Sequence, residues 1–135
     1  MTKTPRFWRE NKNRYNLIGV KCGSCNAVYF PSRIICPDCG RKSMGKMDKF
    51  KFSGRGTVYS NTVVHEAHEQ YEMQKPYAIA LIELEEGARV LGQIVDCEPY
   101  EVQIGMKVKS TFRKLGQDGK SGTIYYGYKF VRERE

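Results

Sequence analysis

Four of the five cysteines in this 135-residue chain form two matched pairs, Cys22-Gly-Ser-Cys25 and Cys36-Pro-Asp-Cys39, with ten residues between them. A Cys-x-x-Cys turn brings two sulfurs to one point. Two such turns supply the tetrahedral set taken by a closed structural Zn²⁺ site. Turn formers occupy both loops: Gly23 and Ser24 in the first, Pro37, Asp38 and Gly40 in the second. Backbone amides in such turns donate to the sulfurs and stabilise thiolate charge. Two disulfides would need an oxidising compartment, and no apolar signal-peptide run follows the basic N-terminal residues. A redox motif needs one pair, not two. The expectation is one metal ion held by Cys22, Cys25, Cys36 and Cys39.

Cys36-Pro-Asp-Cys39-Gly40 also resembles the second loop of rubredoxin, where four sulfurs hold iron, and thiolate tetrahedra accept either metal. The intervening segment 26–35 is long enough for the hairpin of a zinc ribbon. Little aromatic crowding around the loops, and attachment to a second unit, favour zinc over iron. A closed site folds its segment and does no chemistry. Outside it, Cys97 follows the apolar Ile94-Val95 at a strand end and reads as a structural cysteine rather than a nucleophile. His65, Glu66, His68 and Glu69 could bind metal or move protons; they read as a solvated polar loop. No catalytic residue is expected.

The elements that must position these residues read as follows. Residues 5–16 form a short helix, capped by Thr4 with Pro5 at its first position. It is too short to stand alone, so Phe7, Trp8 and Tyr15 must bury against something. They either cover the rest of the chain or, with Phe7 and Trp8 leading, dock a partner. Leu17 to Val20 and Val28 to Phe30 are the strands of the ribbon; 41–46 is a basic turn, and 49–52 a passage onward. Gly54 and Gly56 permit a bulge or close backbone approach. Five β-rich runs follow: 57–64, 77–84, 89–95, 108–115 and 123–131. Residues 65–75 read as a loop. Five strands with a glycine inside the third match an OB-type barrel. The fold class is mainly β: a short helix, a rubredoxin-like zinc ribbon and a five-stranded OB-fold barrel. The expected boundaries are 1–18, 19–48 and 49–135, packed as one rigid body.

The chain carries 23 Lys+Arg against 15 Asp+Glu, a net charge of +8. That excess invites polyanions, either nucleic acid or phosphate-bearing small molecules such as coenzyme A. No apolar run reaches the length of a membrane span, and free thiols suit a cytoplasm. On the last hairpin, Arg113, Lys114, Lys120 and the tyrosines around Tyr126 could stack bases along a phosphate backbone. They could equally hold the adenine and phosphates of coenzyme A, form a protein interface, or fill the barrel as ordinary alternating residues.

The order of motifs is specific: Phe7-Trp8, the two Cys loops with Phe30-Pro31 between, Ser53-Gly-Arg-Gly56-Thr-Val-Tyr-Ser60, Pro76-Tyr77, Leu84-Glu-Glu-Gly87-Ala-Arg89 and Ile104-Gly-Met-Lys-Val108. Together they resemble the zinc-ribbon OB-fold proteins that accompany thiolases, formerly a domain of unknown function. The resemblance covers nearly the whole chain. It implies a non-catalytic, cytoplasmic scaffold. In archaea such proteins bridge acetoacetyl-CoA thiolase and hydroxymethylglutaryl-CoA synthase, so that acetoacetyl-CoA is channelled along the mevalonate pathway. It also implies one Zn²⁺ and a contribution to a shared coenzyme A site. The alternative left by charge and fold is a single-stranded nucleic-acid-binding protein.

Overall fold

The computed structural model describes residues 8–133. Thr4, Pro5 and Phe7, the expected cap and first turn of the N-terminal helix, lie outside the described residues. Trp8 and Arg9 are helical, and α1 (Asn11–Tyr15) follows, lying against the ribbon and the last barrel strand. Its aromatic residue docks inside the chain: the Tyr15 ring meets Phe112 edge-on at 5.1 Å. Trp8 instead stays 63% exposed.

The ribbon is a three-stranded antiparallel sheet of β1 (Ile18–Cys22), β2 (Val28–Tyr29) and β3 (Met47–Lys51), in the order β2-β1-β3. The strand β3 corrects the reading of 49–52 as a passage. All five of its residues pair with β1, from Ile18 opposite Lys51 to Cys22 opposite Met47. The ribbon sheet therefore reaches past position 48, to Lys51. Met-Asp-Lys-Phe-Lys carries no apolar alternation, and main-chain pairing with an already formed strand decides its conformation.

The second unit is a closed barrel of β4 (Arg55–Val64), β5 (Tyr77–Leu84), β6 (Arg89–Val95), β7 (Lys107–Gln117) and β8 (Ile124–Arg132). The strand order is β4-β5-β6-β8-β7, with β7 closing onto β4. The β6–β8 pair is parallel and the other pairs are antiparallel. This is the five-stranded Greek-key arrangement of an OB fold. Alternation builds it: Ala78, Ala80, Ile82 and Leu84 of β5 all face inward, and Val58, Val90, Ile94, Val108 and Phe130 meet them. Gly92 is required by close approach, since a Cβ there would stand 2.5 Å from the Phe130 ring. The bulge of β4 falls between Val58 and Ser60; at Gly56 it is the close backbone approach that holds, since a Cβ there would stand 2.5 Å from the Glu83 carbonyl oxygen. The stretch 65–75 is not wholly a loop. Glu69–Gln74 is a 3-10 turn, opened by His68, whose Nδ1 accepts from the Gln70 amide. It has no apolar stripe to announce it. Among the described residues no helix is long and apolar enough to cross a membrane.

An edge-to-face series of rings joins ribbon to barrel. Phe50 meets Phe52 at 5.1 Å, Phe52 meets Phe30 at 6.2 Å, Phe30 meets Tyr128 at 5.6 Å, and Tyr128 meets Phe130 at 5.8 Å. Such pairs add about 0.5–1.5 kcal/mol each beyond area burial. Phe52 is buried, and its amide donates to the Leu17 carbonyl at 3.0 Å. Phe52→Ala is expected to lower stability by about 3–5 kcal/mol, whereas Ile34→Ala, on the ribbon surface, should stay within about 0.5 kcal/mol. Urea unfolding of the two variants measures both. Near-equal midpoints would mean that the ring series does not hold the units together.

Candidate metal centre

Each Cys-x-x-Cys turn is shaped by its main chain. Asn26 N donates to Cys22 O, and Gly40 N to Cys36 O, both at 2.9 Å. The residue after each second cysteine takes a positive φ: 61° at Asn26 and 54° at Gly40. Asparagine and glycine tolerate that region best. Ser43 is fully buried and braces the second loop. Its Oγ accepts from the Cys36 amide at 2.9 Å and donates to Gly40 O at 2.6 Å.

These turns bring together all four predicted ligands. The sulfurs of Cys22, Cys25, Cys36 and Cys39 lie within 4.8 Å of one another, and Cys25 and Cys36 are 3.6 Å apart. A tetrahedron with Zn–S bonds of about 2.3 Å has sulfurs about 3.8 Å apart, so the donor set fits such an ion. The electrostatics say the same. The amides of Cys25 and Ser24 hold the Cys22 thiol below its ordinary value. The Tyr29 hydroxyl, 3.4 Å from the Cys36 sulfur, holds that thiol at about 6. That same bond raises the tyrosine itself. Cys39 is pushed up to about 12, first by its contact with Cys25 and then by desolvation. At Cys25 the Ala27 amide pulls down, but desolvation and the contacts with Cys36 and Cys22 outweigh it. Some thiolates form easily and the rest resist the growing negative charge. A dication removes that resistance, because thiolates rather than thiols bind metal.

The remaining predicted residues divide. Lys114 lies opposite Tyr126 in the β7–β8 register, and Tyr126 stacks on Phe112 at 5.3 Å. Lys114 Nζ donates to Gln117 Oε1 at 2.8 Å, and the Lys120 carbonyl accepts from Gln117 Nε2 at 3.0 Å. Arg113 does not join them. Successive strand residues face opposite sides, and Arg113 pairs with Asp96 at 2.8 Å. His65 lies 3.5 Å from the Tyr100 hydroxyl, and His68 caps its turn. Among the described residues, the four cysteines form the cluster of metal-ligating side chains. Cys97 is partly buried, and its thiol is raised by desolvation and then by Glu101, the opposite of nucleophile activation.

Sequence reasoning missed the ribbon's apolar surface. Ile34 is 88% exposed, and Ile35 and Met44 are exposed too. Ile35 and Met44 are the chain neighbours of Cys36 and Ser43, which the metal loop ties together. Arg33, Arg41 and Lys42 are also exposed in these segments. The signal was a pair of isoleucines in a segment with too few residues to bury them.

Comparison with known proteins places this architecture. A family described as "ChsH2, rubredoxin-like zinc ribbon domain" matches residues 9–45, and "ChsH2, C-terminal OB-fold domain" matches residues 51–113. The chain is 57% identical over 125 residues to a DUF35 domain-containing scaffold protein of Methanocaldococcus jannaschii, covering 93% of this chain and 87% of that one. It is 50% identical over 130 residues to a protein of the same description from Methanothermobacter thermautotrophicus, covering 96% of each. A solved chain of the Ltp2-ChsH2(DUF35) aldolase superposes with a TM-score of 0.69 at 30% identity, covering 98% of this chain and 96% of that one. With a ChsH2-type zinc ribbon leading into an OB-fold barrel, the chain belongs to the family of DUF35 domain-containing scaffold proteins.

Proposed function

We propose that this chain is a non-catalytic, cytoplasmic scaffold joining acetoacetyl-CoA thiolase to hydroxymethylglutaryl-CoA synthase in the mevalonate pathway. The observation that carries the reading is a set of exposed apolar side chains: Ile34, Ile35 and Met44 on a ribbon held to its barrel by packed rings, and Trp8 on the N-terminal helical segment. Exposed apolar side chains among charged neighbours mark partner surfaces. The motif order resembles the thiolase-associated members of the family, and the solved relative is named for an aldolase assembly. Joining two sequential enzymes has a thermodynamic purpose. Acetoacetyl-CoA formation from two acetyl-CoA is uphill, and direct delivery to a downhill second step draws it forward. A scaffold makes the handover intramolecular.

Zn²⁺ is the ion proposed for the ribbon, where it fixes the two loops and leaves no open position for chemistry. Lys114, Lys120 and Tyr126 remain as the contribution of the barrel to a coenzyme A surface. Arg113 would act there only through the other face of the sheet. A nucleic-acid reading draws on the exposed Phe112 beside Lys114. However, Tyr126 already stacks on Phe112 and Tyr15 meets it edge-on, which takes up surface a base would use.

Metal analysis of the purified chain is expected to give one zinc per chain, colourless. Visible thiolate-to-iron absorption would refute zinc. Cys22→Ser should lose the ion and unfold the ribbon, because metal binding there is largely folding energy. Co-purification with the two enzymes tests the scaffold. Trp8→Ala should weaken the complex by about 30-fold, the effect of an interface hot spot, while circular dichroism of the free chain stays unchanged. An intact complex in that variant would remove Trp8 from the interface, and thiolysis or condensation by the pure chain would overturn the reading. Titration with a fluorescent single strand at physiological salt separates the alternative. Binding is expected to stay in the non-specific range of about 10⁻⁴–10⁻⁶ M. Tighter binding that falls steeply with salt would favour the nucleic-acid reading instead.

A further inference from the structure

A second site lies on the barrel, away from the cysteines. The outer faces of β5, β6 and β8 and the 3-10 turn before β5 enclose a groove of about 330 Å³. Its apolar wall comes from Tyr71, Tyr77, Ile79, Leu91, Leu115 and Tyr128. A basic side chain, Lys129, lines the same groove and is only 6% exposed.

Lysine is almost never buried to this degree without a carboxylate partner. Among the described residues Lys129 has none: the ion pairs are Arg55–Glu133, Lys75–Glu72, Arg89–Glu83 and Arg113–Asp96. Its Nζ donates to the neutral Oε1 of Gln74 at 3.2 Å, and that oxygen also accepts from Gln93 Nε2 at 3.2 Å. An ammonium has three N–H donors, so one shared amide oxygen leaves most of its capacity unused. The nearby Arg113 adds charge of the same sign, and desolvation together with that arginine depresses the Lys129 pKa. Arg14 also lines the groove. The result is an apolar trough with an uncompensated positive charge in its wall, the arrangement of a small-molecule pocket with one orienting polar group.

We propose that this groove binds a small organic anion, a carboxylate or sulfonate with a flat or aliphatic body, with Lys129 as the anion anchor. One buried ammonium matches one negative charge better than the several phosphates of a nucleotide. The volume equals that of about ten water molecules, which admits an aromatic or medium-length acyl acid and excludes an entire coenzyme A. The anion would lie against Lys129 and Arg14, and its body over Ile79 and Leu91 between the tyrosine rings. The groove shares Tyr126 with the coenzyme A surface of the scaffold reading, but it does not rest on that reading, and its test does not involve the enzyme partners.

The probe is 8-anilinonaphthalene-1-sulfonate, titrated by fluorescence into the full-length, zinc-loaded chain, with uncharged N-phenyl-1-naphthylamine beside it. The wild type is expected to bind one equivalent of the sulfonate saturably. Lys129→Met keeps the length and removes the charge. It should weaken the sulfonate by about tenfold, the loss of one charge-assisted hydrogen bond, while the neutral dye changes by less than about twofold. Leu91→Trp fills the groove from its exposed side and should abolish saturable binding of both dyes. Equal sulfonate affinity in folded Lys129→Met, or no saturable binding by the wild type, overturns the proposal. Should Lys129→Met fail to fold, amide chemical shifts of the wild type decide. Sulfonate-induced shifts centred on Ile79, Leu91, Gly92 and Gly127 support the groove, and shifts centred on Ile34 and Ile35 instead refute it.

Discussion

Everything that lets two small units act as one body depends on the rings between them. Neither unit has a large core. The ribbon contributes Leu17, Val28, Phe30, Phe50 and Phe52 to a cluster whose other members are barrel residues. Edge-to-face contacts favour defined mutual orientations over free sliding, because each ring sets its positive edge against the negative face of the next. The series continues through Tyr128 to Phe130, at the centre of the barrel. Gly92 is part of the same constraint, since a side chain there would push Phe130 out of line. The angle between ribbon and barrel is thus set by the core of the larger unit.

Within the ribbon, the dominant problem is negative charge. Four sulfurs within 4.8 Å cannot all ionise unaided, and the local sequence stabilises some of them before any ion arrives. Backbone amides favour the thiolate at Cys22, and the Tyr29 hydroxyl favours it at Cys36. The same hydroxyl lies 3.1 Å from Asp38 Oδ2, within the second cysteine turn, so its one proton is shared between that carboxylate and the Cys36 sulfur. One phenol therefore ties β2 to the second loop. Ser43 performs the corresponding task from the other side. These contacts orient ligands that the Cys spacing alone would leave loose.

Much of this was legible in the sequence, wherever one physical rule acted alone. Strands β5 and β6 are legible to the residue, because each is an apolar run of strand length bounded by turn residues, Pro76 and Glu85-Glu-Gly87 around the first and Gly87 and the polar stretch to Pro99 around the second. The cysteine cluster was legible from spacing. What escaped depended on partners distant in the chain. Strand β3 carries three charges in five residues, and pairing with β1 alone makes it a strand. The 3-10 turn at Glu69–Gln74 has no apolar period to announce it, yet it supplies Gln74 to Lys129 from 55 positions away. Arg113 and Lys114 look like one basic patch in the sequence. The pleat sends them to opposite faces, one to Asp96 and the other towards Gln117 and Tyr126. Lys129 was invisible as a special residue, since nothing in Tyr-Lys-Phe says that the outer face of that strand is covered.

The distribution of the positive charge bears on how such a chain recognises partners. Exposed lysines and arginines around Ile34, Ile35 and Met44 gain little in free energy individually, because solvent and salt screen them. On the docking surface proposed above, charges of this kind would steer an acidic partner into place and raise the rate of encounter. The apolar side chains then supply the affinity that charge in water cannot. The division of labour requires the ribbon to be rigid when the partner arrives. A loosely attached ribbon would have to be ordered on binding, and that entropy would be subtracted from a small interface. An ion held by the four cysteines would remove the disorder inside the ribbon, and the ring series removes it between ribbon and barrel. Both costs are met during folding, before any partner is present, and for that reason a surface of a few exposed side chains can suffice for recognition.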